Sequence, residues 1–178
     1  YQLPQWVATD RVLMADFNDA MAKTDAAIEM AAPFALLRRA TVAADTADYA
    51  LNLSGLAFDS YQAIEIYFTL TATENADITM YFNNLEGSVY LNSMNVTTDS
   101  LGTFSTAKNT SCRGYIRLLA NQWGVGMEYF FYGKNLSASM GSCNQINTST
   151  LTALRLKTEE GVIQSGSTFW IIGVKKMV

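Results

Sequence analysis

Histidine is absent from all 178 residues. That removes imidazole acid–base work, Ser–His and Cys–His nucleophile pairs, and histidine metal sites. Cysteine is scarce. Cys112 and Cys143 are the only two, too few soft ligands for a tetrahedral zinc centre. They are either bridged, which would stabilise the fold by about 3–4 kcal/mol on the chain-entropy view, or free thiols of a protein made in a reducing cytosol. Charge is sparse, at 16% of residues, while 49% are hydrophobic. Such a chain buries a core and is not disordered. The 12 Lys and Arg against 16 Asp and Glu give a net charge of −4, so a basic footprint for nucleic acid is missing. Long apolar runs are missing as well. The longest, Phe169–Val174, is far short of a bilayer span, and no membrane insertion is expected. No basic stretch followed by an apolar one opens the chain, so no signal peptide is expected. Neither a metal nor a cofactor is expected.

The length fits one globular domain with a short appendage. Residues 1–89 carry 4 Lys and Arg against 12 Asp and Glu, a net −8, and residues 90–178 carry 8 against 4, a net +4. Such a split reads as a matter of which faces meet water rather than of a partner.

What is present is a hydrophobic pattern that changes once. The segment Tyr1 to Val12 reads as extended. From Ala15, alanines favour helix, and Phe17, Met21, Thr24, Ile28 and Ala31 recur at helical spacing. Pro33 ends the run, because the residue before a proline leaves the α region. The expectation is one helix of about 16–18 residues. Its stripe packs either on the chain's own sheet or on copies of itself, with Phe17, Met21 and Ile28 as the interface. It is too short to stand alone in water. It is also shorter than a coiled coil wants, with Thr24 at a seam position.

After Pro33 the period is two. Ile64, Ile66, Phe68 and Leu70 alternate with polar or aromatic residues, as do Ile78, Met80 and Phe82, then Met127, Tyr129 and Phe131, then Leu154 and Leu156. Thr168–Val174 is apolar on both faces and reads as a central strand. Further strands are expected at Phe34–Val42, Asp48–Leu53, Ser88–Leu91 and Tyr115–Ala120. Gly133–Thr150 reads as the longest loop. Turn-rich segments separate the strands, and no repeat speaks for a β-helix or propeller. The expected fold is mainly β: an N-terminal α-helix followed by an antiparallel jelly-roll-like β-sandwich. Residues 1–33 form the extended segment and helix, and residues 34–178 the sandwich.

Carboxylates are the one route to catalysis left, since a pair of them cleaves glycosidic bonds without histidine. Asp16 with Asp19, Asp25 with Glu29, and Glu159 with Glu160 are adjacent in pattern. Solvated helix faces and turns produce such pairs by default. Only Glu128 has apolar sequence neighbours, Met127 and Tyr129, and alternation turns its side chain away from both. The chain is therefore not expected to be an enzyme, and no catalytic residue is assigned.

Aromatics offer a different chemistry. A ring flanked by amides stacks on the apolar face of a sugar while the amides bond its hydroxyls. Trp123 lies between Asn121-Gln122 and Gly124, and Phe130 and Tyr132 share a strand face that Tyr129 and Phe131 do not. Trp123, Tyr132, Phe130, Asn121 and Gln122 are the candidate ligand-binding residues. Core packing and capping of the sandwich ends is the other reading of the same rings. Five Asn-x-Ser/Thr triplets, at Asn52, Asn95, Asn109, Asn135 and Asn147, would mark glycosylation in a secreted eukaryotic protein, but a chain rich in Asn, Ser and Thr also yields them by chance.

Three segments carry a resemblance. Leu3-Pro4-Gln5-Trp6 and Asp10-Arg11-Val12, followed by Asp16-Phe17-Asn18-Asp19-Ala20 and Asp25-Ala26-Ala27-Ile28, open the chain. Ser60-Tyr61-Gln62-Ala63-Ile64-Glu65-Ile66 lies near its middle, and Gly166-Ser167-Thr168-Phe169-Trp170-Ile171-Ile172-Gly173-Val174-Lys175 lies near its end. Together they resemble tail-fibre and receptor-binding proteins of phages and prophages from Gram-positive gut bacteria. The departures are Thr24, where the family helix is usually apolar, and Ile172, where tyrosine is common. The resemblance implies a virion structural protein, a homotrimer among other tail proteins, whose sandwich presents loops to a bacterial cell-surface glycan. Other readings stay open: a fibre module with no ligand, a secreted carbohydrate-binding module, or a depolymerase acting through carboxylates.

Overall fold

The change of period at Pro33 is a change of structure. In the computed structural model, which describes residues 14–87, 89–92, 94, 97–121, 124–133 and 136–176, one helix is followed by strands. Helix α1 spans Met14–Ala31. Its last turn is closed by the Ala32 N–H donating to the Ile28 carbonyl. The Thr24 hydroxyl donates back to the Ala20 carbonyl, so the polar residue in the apolar stripe satisfies itself within the helix. The stripe does not bury on the chain's own sheet. Phe17, Met21 and Ile28 are 50%, 47% and 64% exposed. The expected extended segment 1–12 lies outside the described residues.

Among the described residues twelve strands follow: β1 (Phe34–Thr41), β2 (Asp48–Asn52), β3 (Tyr61–Thr71), β4 (Ala76–Phe82), β5 (Tyr90–Asn92), β6 (Thr97–Thr98), β7 (Gly102–Thr106), β8 (Ser111–Asn121), β9 (Gly124–Tyr132), β10 (Leu136–Cys143), β11 (Ala153–Thr158) and β12 (Thr168–Lys175). They form two antiparallel sheets, ordered β1-β12-β3-β8-β9-β10-β5-β6 and β2-β11-β4-β7. The first four strands of the large sheet, set against the whole small sheet, have the strand order of a jelly roll. The hairpin β9–β10 and the short β5 and β6 widen one sheet beyond that frame.

The core lies between the sheets and is supplied by the period-two residues. Ile64, Ile66, Phe68 and Leu70 face Ile78, Met80 and Phe82, with Leu154, Leu156, Phe169 and Ile171 closing the layer, all buried. At one end four rings interlock. Phe131 lies 4.1 Å from Phe104, 4.6 Å from Tyr129 and 5.3 Å from Phe68, centroid to centroid. Gly114 makes room for them, since a Cβ there would sit 2.4 Å from the Phe130 carbonyl oxygen and 2.7 Å from the Phe131 ring.

One expectation is corrected, and one alternative left open by the sequence is decided. The stretch read as the longest loop, Gly133–Thr150, contains strand β10. Small residues hide it, and pairing along β9 rather than propensity forms it. The cysteines are not bridged; both are buried free thiols. Cys143 sits opposite Val125, and Val125 opposite Ala120, eight residues along β8 from Cys112. That is about 27 Å of strand, far beyond the roughly 7 Å a disulfide spans between Cα atoms. Burial pushes the Cys112 thiol up to about 11.

Strand β1 is an edge of the large sheet and carries a bulge between Leu36 and Arg38. The Arg38 guanidinium donates to the Asn52 carbonyl (2.7 Å) and the Ser54 carbonyl (3.0 Å) at the end of β2, tying the two sheets at that edge.

Candidate functional site

The two outer faces of the sandwich differ in chemistry. On the small sheet Arg155 pairs with Asp48 and Glu86, Lys157 also reaches Glu86, and the hydroxyls of Thr79 and Thr103 meet at 3.2 Å. The Arg155 guanidinium holds the Asp48 carboxyl below its ordinary range. This face satisfies itself.

The large sheet presents aromatic rings instead. Register places Arg39, Trp170, Tyr67, Tyr115 and Phe130 opposite one another on β1, β12, β3, β8 and β9, one continuous row across five strands. From Trp170 to Phe130 the row covers three strand spacings, about 14 Å. Trp170 is 53% exposed, and Tyr67 and Phe130 are 40% exposed each. The ring centroids of Tyr67 and Tyr115 are 6.0 Å apart, and those of Tyr115 and Phe130 6.3 Å. The Arg39 guanidinium sits 6.0 Å over the Trp170 ring and steadies it by a cation–π contact. The Tyr67 hydroxyl donates to Glu65 at 2.8 Å, and that bond raises its pKa.

Two residues further along each strand runs a second row, Thr168, Thr69, Arg113 and Tyr132. It is polar except for Tyr132, which is 69% exposed. Between the rows lies a shallow cleft of about 580 Å³ with Phe68 and Gly114 among its lining. An aromatic strip beside hydroxyls and a guanidinium is suited to a flat, hydroxylated ligand. Rings take its apolar face, and polar groups take its edge.

The candidate residues from the sequence fare differently. Phe130 and Tyr132 are both on this face and both line the cleft. Asn121 ends β8 opposite Gly124, at the far end of the β8–β9 pair from Tyr132. Gln122 and Trp123 lie outside the described residues. Sequence reading missed Trp170, Tyr67 and Tyr115. Their signal was an aromatic at a position alternating with buried neighbours, where a polar residue is the norm.

A second cleft, of about 450 Å³, borders Asp77, Glu159 and Glu160 on the small-sheet side. Asp77 accepts from the Ser105 hydroxyl at 2.6 Å. Of the Asn-x-Ser/Thr asparagines, Asn52 and Asn147 use their side-chain oxygens to accept backbone N–H bonds in turns. Asn95 and Asn135 lie outside the described residues.

The fold and this face define the class: a jelly-roll sandwich with a bare aromatic strip on its larger sheet. Among known proteins, no family model matches the chain, and no curated protein matches it.

Proposed function

We propose that the protein is a carbohydrate-recognition sandwich that binds a bacterial cell-surface glycan on the outer face of its large sheet, as an adhesion module of a phage or prophage tail. The observation that carries the reading is the aromatic row Trp170–Tyr67–Tyr115–Phe130, in register across four strands, with Trp170, Tyr67 and Phe130 exposed. A soluble chain that keeps such rings in water uses them for contact. The resemblance of both chain ends and one central strand to tail-fibre and receptor-binding modules supports placement in a virion; an extracellular binding module is the alternative setting.

The test is a bacterial-glycan array probed with the whole chain and with Trp170→Ala. Binding by the unaltered chain and a loss of about tenfold or more in the variant is expected, as for removal of a central aromatic anchor. An array with no bound glycan sinks the reading.

The exposed stripe of α1 favours a homotrimer with other tail proteins as neighbours. Phe17, Met21 and Ile28 are exposed among the described residues, and three linked copies raise apparent affinity for a repetitive surface without new contacts. Sedimentation at micromolar concentration should give three chains. Met21→Asp should shift the particle to one chain, and a monomer before substitution defeats the trimer. A trimer that ignores every glycan favours the purely structural fibre module.

A further inference from the structure

We propose that the ligand of this face is an acidic glycan, whose carboxylate or phosphate is held by Arg113. The inference rests on the glycan reading above and names the chemistry of its ligand.

Most described cations are already engaged. Arg117 faces Glu65, Arg155 holds Asp48 and Glu86, Lys108 meets Glu74, and Arg38 donates to backbone carbonyls. Arg113 has no such partner among the described residues, although it stands in the middle of a sheet. No carboxylate is among the described residues that line its cleft. The nearest acid on the same strand pair, Glu65, lies beyond the aromatic row and is taken up by Tyr67 and Arg117. In a chain of net charge −4 this is a local excess of positive charge.

Geometry gives that charge a use. Arg113 is flanked in register by Thr69 and Tyr132, with Thr168 beyond Thr69, and it lies two residues along β8 from Tyr115. Two residues of strand are about 7 Å. A sugar ring lying on the aromatic row therefore extends an exocyclic anionic group to the guanidinium, while Thr69 and Thr168 meet neighbouring hydroxyls. The planar guanidinium fork binds a carboxylate or a phosphate through two parallel N–H bonds. The hydroxyls of a neutral sugar accept from this fork but leave its charge unmatched.

The test uses an array carrying neutral, uronate-bearing and phosphate-bearing bacterial glycans, probed with the whole chain, Arg113→Gln and Arg113→Lys, at low and high salt. Bound glycans should all be acidic. Their retention should fall about tenfold to a hundredfold in Arg113→Gln and less in Arg113→Lys, and salt should weaken it. Uronates alone or phosphates alone among the bound set identifies the source of the charge. Because Arg113 is exposed, unchanged thermal melts are expected for both variants. Neutral glycans bound as well as acidic ones, or Arg113→Gln binding like the unaltered chain while Trp170→Ala fails, overturns the acidic ligand and leaves the glycan reading standing. No glycan bound by the unaltered chain overturns both.

Discussion

Phe131→Ala is expected to cost about 3–5 kcal/mol of folding free energy, the range for deleting a buried phenyl ring. The whole stability of a domain is about 5–15 kcal/mol, so this one change removes a large part of it. The reason is position. Phe131 is 1% exposed and is the shared neighbour of Phe104, Tyr129 and Phe68, which come from both sheets. Removing it opens a void that the other three rings cannot close, because each is held by its own strand register. Urea melts should show a lower midpoint with an unchanged slope. A loss below about 1 kcal/mol would mean that the ring cluster relaxes into the gap, as no rigid sandwich core does.

Tyr90→Phe is the second large effect, expected at about 2–4 kcal/mol from two orphaned backbone groups. Tyr90 is fully buried on β5 of the large sheet. Its hydroxyl accepts the Phe82 N–H at 3.0 Å and donates to the Leu85 carbonyl, so one side chain pins the end of β4 in the opposite sheet. The variant keeps the ring and loses only the two bonds. It also has a pH signature. Burial raises the Tyr90 hydroxyl from 10.0 to about 12, so between those values the folded state keeps a proton that the unfolded chain releases. Its contribution is whole below pH 10.0 and is lost as pH rises toward about 12. Cys112 acts in the same direction between 9.0 and about 11. Urea melts across this alkaline window should show stability falling with pH, and falling less steeply in Tyr90→Phe. Equal slopes in the two proteins would refute the assignment.

The helix and the sandwich were legible in the sequence because both rest on local periodicity. Pro33 and the Phe17–Met21–Ile28 spacing mark α1, and the alternation Ile64–Ile66–Phe68–Leu70 marks β3. β10 was not legible, because Leu136–Cys143 is mostly serine, alanine and glycine and owes its form to β9. The aromatic row was half legible. Alternation put Phe130 and Tyr132 outward, but Thr168–Val174 is apolar on both faces, so its pattern did not single out Trp170. Trp170 is in fact half-exposed in this chain. Sequence period tells which residues share a face; it does not tell whether anything lies over that face. Nor does it tell that Trp170, Tyr67, Tyr115 and Phe130, far apart along the chain, stand side by side. That depends on the register of three strand pairs.

The bulge in β1 bears on how copies of the chain tolerate crowding. An unprotected outer strand invites another chain to add its own backbone, and the result is runaway polymer. Here the bulge breaks the regular hydrogen-bonding rhythm, Arg38 folds over to the neighbouring layer, and the opposite rim of the same sheet ends in a strand of only two residues. Copies of the chain crowded together are thereby hindered from fusing main chain to main chain along the two rims of the large sheet.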